Sequence, residues 1–309
     1  MTGRVGGHSH NHVAWGRDRR QLQVVIVIVA VVIVIEVAGA LYSGSLALYA
    51  DAGHLFSDLA GLIVALIALT VAARPATDRQ TFGFQRAEVF GALINGLIVL
   101  GVAIAVGIEG VSRLVASESG EVRGGIMLTV ATLGVVANVG GMLLLRKGAK
   151  RSINLRGAYV EILGDLLGSI AVVVAAIVIM ATGFEKADAL ASLLIAVMMV
   201  PRAFSLLRDV VRVFSESVPV NTSVVTIRSH ILATAGVVEV HDVHVWAITS
   251  GAHVFSAHVV VEDDVFKLSR ADALLQDLTA CLSDHFDVDH STFQLESVEH
   301  AAQEDQRHA

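Results

Sequence analysis

The hydrophobic pattern of the chain changes at about residue 214. Up to that point, long apolar runs alternate with short polar loops, and each run reaches the ~20 residues that a helix needs to cross a bilayer. In lipid, only a helix or a closed barrel satisfies the backbone of such a run. The pattern therefore predicts six membrane-spanning helices. Their expected ranges are 22–42, 46–73, 87–114, 125–145, 157–181 and 187–207.

The remaining residues have the pattern of a small soluble domain. Two segments show helical spacing, and three alternate between apolar and polar positions as strands do. In chain order they are 222–235 (helix), 237–248 (strand), 252–261 (strand), 268–285 (helix) and 291–298 (strand). An αββαβ order builds an open sheet with helices on one face. The predicted fold class is an α-helical membrane protein with six transmembrane helices, followed by a small cytoplasmic α+β domain.

This pattern divides the chain into four predicted parts. The expected division is a histidine-containing arm at 1–20, a transmembrane domain at 21–213, the α+β domain at 214–299 and a tail at 300–309.

Composition supports a membrane protein. The chain is 54% hydrophobic and only 17% charged, with a mean hydropathy of +0.69, and these values exclude a typical soluble protein. Cys281 is the only cysteine, so neither an intrachain disulfide nor a cysteine-rich zinc site can form. The first apolar run is too long for a cleaved signal peptide and lacks a small-residue cleavage pattern.

Arginine and lysine are distributed unevenly among the loops. They concentrate before the first span and after spans two, four and six, whereas the other loops hold only Arg123 and Lys186, with Arg113 near one edge. Because basic loops stay in the cytoplasm, we expect both termini and the α+β domain to be cytoplasmic. The basic residues concerned are Arg17, Arg19, Arg20, Arg74, Arg79, Arg86, Arg146, Lys147, Lys150, Arg151, Arg156, Arg208 and Arg212.

Two pairs of ionisable residues lie inside predicted spans. His54 and Asp58 are four residues apart in the second span, and Glu161 and Asp165 repeat this spacing in the fifth. An ionised group at the bilayer centre costs at least ~2.5 kcal/mol, so such groups persist where they meet each other or a cation. Positions i and i+4 share one helix face, and two helices with two ligands each can form a four-coordinate site. These residues therefore predict a metal site within the bundle, which indicates a metal transporter.

The alternative is that these residues only hold helices together, as single polar residues such as Asn138 often do in membranes. Asp51, one turn before His54, is expected to orient that imidazole rather than to bind metal. Imidazole together with carboxylates suits zinc, cobalt, cadmium or manganese. Since ligation requires deprotonated donors, metal and protons compete for the same atoms, and this competition gives a physical basis for metal/proton exchange.

Five stretches of the chain carry a family resemblance. They are SGSLALYADAGHLFSD, RPATDRQTFGFQRAEVFGALINGL and EILGDLLGS in the apolar part, and VHDVHVWAITSGAHVFSAHVVV and HSTFQLE in the tail. With them, nearly the whole chain resembles the cation diffusion facilitator family, particularly its cobalt–zinc–cadmium resistance type of bacterial divalent metal/proton antiporter. The resemblance implies a homodimer in the bacterial inner (plasma) membrane that exports metal from the cytoplasm against an inward proton flow. It also implies that the cytoplasmic domain is metallochaperone-like, binds metal and pairs across the dimer.

One position departs from the family pattern. The zinc-transporting members usually have histidine where this chain has Glu161, whereas His54, Asp58 and Asp165 fit the pattern. A carboxylate in place of an imidazole makes the site harder and more anionic. Zinc is the expected substrate, together with cadmium and cobalt, and the alternative is an exporter of the same family that prefers manganese or iron.

The tail carries further candidate ligands. His241 and His244 are three residues apart on one predicted strand, so we expect them on opposite faces of the sheet. One histidine from each of two neighbouring strands can then meet on one face. The resemblance implies that His241, His258 and Glu296 bind metal, and further candidates are His244, His253 and His290. The alternative for each histidine is a structural hydrogen bond at the strand surface.

Two other features concern the ends of the predicted bundle. The sequence HSHNH at residues 8–12 has ligand-type side chains, and it is interpreted either as a weak metal-binding arm or as a disordered tail. Arg86 and Glu216 flank the junction between the bundle and the α+β domain, and we expect an ion pair between them.

The expected function is secondary transport and not catalysis. The chain has no GxxxxGK[ST] loop for ATP and no HExxH motif of a zinc protease. A membrane-tethered metal sensor is the remaining alternative, although a sensor needs no ligands at bilayer depth. The expected partners are divalent metal ions, a second copy of the chain and the lipid bilayer, with no nucleic acid. Zinc is expected both as transported substrate and as a ligand of the tail, with protons as the counter-ion.

Overall fold

The computed structural model describes residues 12–116, 121–146, 153–249, 251–267, 270–286 and 288–303. Its first part consists of long helices, as predicted. They are α1 (His12–Ser43), α2 (Leu46–Ala72), α3 (Ala87–Val115), α4 (Gly124–Leu145), α5 (Ile153–Thr182) and α6 (Lys186–Phe214). Among the described residues, α2 to α6 are each long and apolar enough to cross a membrane, and the described apolar part of α1, Val27–Ser43, is shorter. The helical part of the predicted fold class is confirmed.

The last long helix extends further than predicted. The apolar run indicated an end near residue 207, but α6 continues to Phe214. The added turns contain Arg208, Asp209 and Arg212, so hydropathy alone ends the helix too early. The helix also contains Pro201, which removes one backbone hydrogen bond from the helical ladder.

The protein divides into two compact units. The helical unit comprises Met1–Val64 and Ile94–Ser205, and the tail unit comprises Ala65–Leu93 and Leu206–Ala309. Within the helical unit, α4 packs against α1 and α5. Small residues allow these helices to approach closely, since a Cβ atom on Gly39 would lie only 2.7 Å from Val130. Such contacts are typical of helices in lipid, where apolar burial alone gives no preference for a neighbouring helix.

A buried carboxylate at the start of α6 caps α2. Asp188 is 1% exposed and accepts hydrogen bonds from Ser45 Oγ at 2.6 Å, Leu46 N at 2.7 Å and Ala47 N at 3.0 Å. The first N–H groups of a helix have no partner within the helix, and a negative charge there is favoured by the helix dipole. Asp188 therefore holds the beginning of α2 against the beginning of α6, a contact that the sequence pattern did not predict.

The tail unit contains the predicted small α+β fold. Its elements after α6 are α7 (Val224–Leu232), β1 (Val237–Thr249), β2 (Ala252–Val261), α8 (Asp263–Lys267), α9 (Ala271–Phe286), β3 (Val288–Ser297) and α10 (Val298–Ala301). The strand order is β1-β2-β3, with β1 and β2 antiparallel and β2 and β3 parallel. This order confirms the predicted αββαβ domain, to which α8 and α10 add two short helices.

One face of the sheet is covered by helices. Phe255 and Val259 of β2 belong to one apolar core with Ile227 of α7 and Leu278 of α9. Because side chains alternate across a strand, the intervening residues of β2, which include His258, lie on the other face. The domain thus separates an apolar helix-covered face from a face that carries its polar chemistry.

The predicted ion pair between Arg86 and Glu216 is present, with Arg86 Nη2 3.4 Å from Glu216 Oε1. Both residues belong to the tail unit. Both side chains are exposed, so the pair contributes no more than about 1 kcal/mol. A second polar contact in this unit joins Thr249 Oγ1, as donor, to Glu88 Oε2 at 2.8 Å.

The capping role of Asp188 can be tested by substitution. Asp188→Ala removes the acceptor of two backbone N–H groups in a buried place, which costs about 1–3 kcal/mol. We expect the thermal unfolding midpoint of the purified protein in detergent to fall by about 5 °C. The matched control is Asp209→Ala on the same helix, whose side chain is 63% exposed and whose loss should leave the midpoint unchanged. Equal midpoints for both variants would contradict the capping role.

Candidate metal site

Three of the predicted ligands meet where α2 contacts α5. His54 and Asp58 lie one turn apart on α2, and Asp165 lies on α5. His54 Nδ1 is 3.4 Å from Asp58 Oδ2 and 3.3 Å from Asp165 Oδ1, and the three ligand atoms all lie within 4.8 Å of one another. The side chains are 15%, 11% and 5% exposed, in the same order. The structure therefore brings together one imidazole and two carboxylates in a largely buried place.

The spacing of these atoms suits a small divalent cation. Two donors bonded tetrahedrally to zinc at about 2.0 Å are about 3.3 Å apart, whereas octahedral magnesium would bring them to about 2.9 Å. Among the described residues, none of these three atoms makes a hydrogen bond of ordinary geometry. Because a buried polar atom without a partner costs about 1–3 kcal/mol, a cation bound by all three would stabilise the arrangement.

The fourth predicted ligand contacts a residue outside the three-residue cluster. Glu161, one turn before Asp165, accepts a hydrogen bond from Arg202 Nη2 of α6. Arg202 Nη1 also lies 2.8 Å from Asp58 Oδ1, so the guanidinium bridges the two carboxylates. Glu161 is not part of the three-residue cluster in the described structure, and its role as a metal ligand stays a prediction.

Arg202 was missed by sequence reasoning. A signal was present, because Arg202 interrupts the apolar run of the sixth predicted span directly after Pro201. A charged residue inside a span nearly always faces a partner of opposite charge. The partners are 41 and more residues away along the chain, so the sequence indicates that a partner is needed but does not show which carboxylate it is.

Asp51 forms a second link between α2 and α5. It is 2% exposed, and its Oδ2 accepts a hydrogen bond from Ser169 Oγ at 2.9 Å. Asn138 Nδ2 of α4 donates to the same Ser169 oxygen at 3.3 Å, which fits its predicted role of holding helices together. Along α2, Asp51 comes before His54, whereas along α5 their partners come in the opposite order, with Ser169 after Asp165. The two helices therefore run antiparallel. The expectation that Asp51 orients His54 stays a prediction.

A second cluster of ligand-type residues lies on the tail sheet. His258 Nδ1 is 2.7 Å from Glu296 Oε1, and His241 Nε2 is 3.6 Å from Glu296 Oε2. The two histidines are direct neighbours on β1 and β2, with ring centroids 5.2 Å apart. His241 and Glu296 are each 2% exposed. The structure thus brings together the three residues that the family resemblance implied.

Asp242 joins this cluster and was missed. Ligand atoms of Asp242, His241 and His258 lie within 4.8 Å of one another. Asp242 has a φ of 47°, a left-handed conformation that aspartate tolerates better than most residues. It lies where the pairing of β1 with β2 shifts register, between His241 and His244. A single residue of this kind is not visible in an alternating sequence pattern.

The register shift corrects one prediction. His241 pairs with His258, and His244 pairs with Ser256. Since positions 256 and 258 of β2 share one face, His241 and His244 lie on the same face, and the predicted opposite orientation is wrong. The physical reason is the β-bulge, because one extra residue in β1 reverses the alternation of side chains.

The remaining candidate histidines lie outside both clusters. His244 lines the same pocket as Asp242 and His258 but is not part of their ligand group. His253 lines a different pocket, with Asp209, and His290 contacts the ring of Phe82 edge-on at 5.8 Å. Metal binding by these three histidines stays a prediction. The predicted HSHNH cluster at residues 8–12 lies outside the described side chains.

Comparison with known protein families decides the identity of the chain. Residues 22–215 match the family described as "Cation efflux transmembrane domain", and residues 219–298 match "Cation efflux protein, cytoplasmic domain". The chain belongs to the cation efflux family. It is a membrane transporter and not an enzyme, which confirms the predicted class and the family resemblance.

Several characterised relatives of this cation efflux protein align over nearly its whole length. The metal cation efflux system protein CzcD of Cupriavidus metallidurans is 38% identical over 290 residues, which is 94% of this chain and 90% of that protein. A cadmium, cobalt and zinc/H(+)-K(+) antiporter of Bacillus velezensis is 34% identical over 296 residues, covering 95% and 93%. The zinc transporter ZitB of Escherichia coli is 34% identical over 291 residues, covering 94% and 91%.

The contact between α2 and α5 in this cation efflux protein can be tested with two glycines of α5. A Cβ atom on Gly168 would lie 2.9 Å from Asp51 Oδ1, whereas a Cβ atom on Gly164 would have no neighbour within 4 Å. Overpacking costs about 1–3 kcal/mol, so Gly168→Ala should lower the unfolding free energy, measured by detergent titration, by that amount. Gly164→Ala, one turn away, should leave it unchanged or slightly raised. A neutral Gly168→Ala would mean that Asp51 does not hold the crossing.

Proposed function

We propose that this protein exports divalent metal cations, with zinc as the main substrate, from the cytoplasm in exchange for protons. The transport site is formed by His54, Asp58 and Asp165 where α2 contacts α5. The single observation that supports it most is the convergence of one ring nitrogen and two carboxylate oxygens, with nitrogen–oxygen distances of 3.3 and 3.4 Å, inside a helix bundle. A buried ligand set of this kind inside a membrane protein of the cation efflux family is suited to carrying a metal.

The donor set favours zinc and similar ions. One imidazole nitrogen with carboxylate oxygens suits zinc, cobalt and cadmium, and less so the harder magnesium or calcium. Of the relatives named above, the Bacillus velezensis protein is described as a cadmium, cobalt and zinc antiporter, and ZitB is described as a zinc transporter. Manganese and iron(II) are the alternative substrates, and they would be favoured if Glu161 supplied a further oxygen ligand.

Protons provide the exchange partner because they compete with metal for the same atoms. Metal binds the deprotonated imidazole and carboxylates, and protonation of these groups expels it. Alternation of the site between the two sides of the membrane then couples outward metal movement to inward proton movement. The concentration of arginine and lysine in alternate loops supports cytoplasmic termini in a bacterial plasma membrane.

The tail cluster is proposed as a second metal site with a regulatory role. Glu296 lies against two imidazoles, and Asp242 stands at the edge of the same group. These residues occupy the sheet face away from α7 and α9. Metal bound there stabilises one arrangement of the tail over others, and we propose that the tail units of two copies pair to form the homodimer.

The transport proposal is tested by zinc flux into proteoliposomes under an imposed pH gradient. Wild-type protein should show gradient-dependent flux. Asp165→Asn should reduce this flux at least about a hundredfold, because the substitution replaces a carboxylate by an amide, which is uncharged and a poor metal ligand. The control is Asp209→Asn, an exposed aspartate outside the cluster, which should transport like wild type. Absence of zinc flux from folded wild-type protein, with flux of manganese or iron(II) instead, would remove the zinc assignment.

The tail site is tested separately by zinc binding to the full-length protein in an Asp165→Asn background. We expect Glu296→Gln to weaken the remaining zinc binding about 10–100-fold, because Glu296 contacts both histidines. The matched control is Glu299→Gln, since Glu299 is exposed and lies two residues after Ser297, the last residue of β3. If both variants bind zinc like the background protein, the tail cluster is structural.

A further inference from the structure

Arg202 contacts the transport site through a shared carboxylate. Asp58 uses its two oxygens differently: Oδ1 lies 2.8 Å from Arg202 Nη1, while Oδ2 lies 3.4 Å from His54 Nδ1. The other arm of the guanidinium donates to Glu161 Oε1. Arg202 and Glu161 are 39% and 34% exposed, so they form the more open side of a cluster whose ligands are largely buried. Asp58 thus offers one carboxylate oxygen to the metal-binding cluster and the other to the positively charged side chain of Arg202.

The guanidinium also changes the charge of the group. With His54 neutral, Asp58 and Asp165 carry two negative charges, Glu161 adds a third and Arg202 offsets one. The total is minus two, which a divalent cation neutralises. A neutral residue at position 161, without an arginine at position 202, would give the same total. Once Arg202 is counted, the formal charge of the group matches a divalent cation despite the additional carboxylate of Glu161.

We infer that Glu161 and Arg202 act as a matched pair that sets the metal affinity of the transport site, with Glu161 positioning Arg202 and not binding the metal. This inference rests on the proposed function, because it concerns the site named there. A guanidinium stays charged throughout the pH range of proteins, so Arg202 competes with metal for Asp58 in every transport cycle. Glu161 retains the guanidinium when the metal takes Asp58.

Loss of one partner upsets this balance, and loss of both restores it. Without Glu161, Asp58 is the remaining carboxylate partner of the guanidinium in the cluster. A metal ion that takes Asp58 then leaves the guanidinium without a carboxylate partner, which is unfavourable. Without Arg202, Glu161 becomes an additional negative charge beside the metal, which strengthens binding and slows release. With both replaced by glutamine, the formal charge returns to minus two, and the three ligands remain.

The test is a double-mutant cycle on the full-length protein, with KM and maximal rate for zinc measured in proteoliposomes at a fixed pH gradient. We expect Glu161→Gln to raise KM about tenfold or more, and the double variant Glu161→Gln/Arg202→Gln to return it to within about threefold of wild type. Arg202→Gln alone should lower both KM and the maximal rate. The matched control is Glu109→Gln, since Glu109 also pairs with an arginine, Arg113 at 3.0 Å, but outside the cluster. Its KM should equal that of wild type.

Three results would overturn the inference. A double variant as impaired as Glu161→Gln would show that the carboxylate itself binds the metal. An unchanged KM for Glu161→Gln would show that the pair does not affect the site, and a raised KM for Arg202→Gln alone would exclude competition. If Glu161→Gln is not recovered as folded protein, the KM of the double variant tests the inference by itself. A KM near that of wild type supports the matched pair, and a tenfold higher KM contradicts it.

Failure of the proposed function itself gives a different result. In that case wild-type protein shows no gradient-dependent zinc flux, or Asp165→Asn retains it, whatever residue stands at position 161.

Discussion

The crossing of α2 with α5 is the contact on which the chemistry of the helical unit depends. It is held at two levels, by the Ser169–Asp51 hydrogen bond and by the His54–Asp58–Asp165 cluster. Because both levels involve the same two helices, sliding of one helix along the other would disturb the link and the ligand spacing together. Asp188 of α6 adds a third constraint, because it accepts hydrogen bonds from backbone N–H groups in the first turn of α2.

The tail unit organises its polar cluster with a different device. A regular strand would place His241 and His244 on opposite faces, and the bulge at Asp242 brings both to the face that also holds His258. The apolar core on the other face fixes the register of β2, because a slip by one residue would expose Phe255 and bury His258. Core packing and ligand placement therefore depend on the same register.

Much of the fold and part of the site could be predicted from the sequence. Long apolar runs define helices because a bilayer leaves few alternatives, and the cost of charge in lipid singled out four residues, His54, Asp58, Glu161 and Asp165. The structure brings all of these except Glu161 into one cluster of ligand atoms. Arg202 and Asp188 were not predicted because their partners are distant along the chain, and apolar runs carry no information on which helices are neighbours. The bulge escaped prediction because one residue in the left-handed conformation leaves the pattern of apolar positions nearly unchanged.

The bridge between Arg202 and Glu161 also has a consequence for how substitutions at position 161 are interpreted. The two residues are 41 positions apart along the chain, and replacing either one alone by a neutral residue changes the formal charge beside the ligands by one unit. Under the inferred pairing, the two positions should covary among homologues. The residue at position 161 then does not report the charge of the site by itself. Two transporters with the same site charge can differ at position 161, and two with different site charges can share the same residue there.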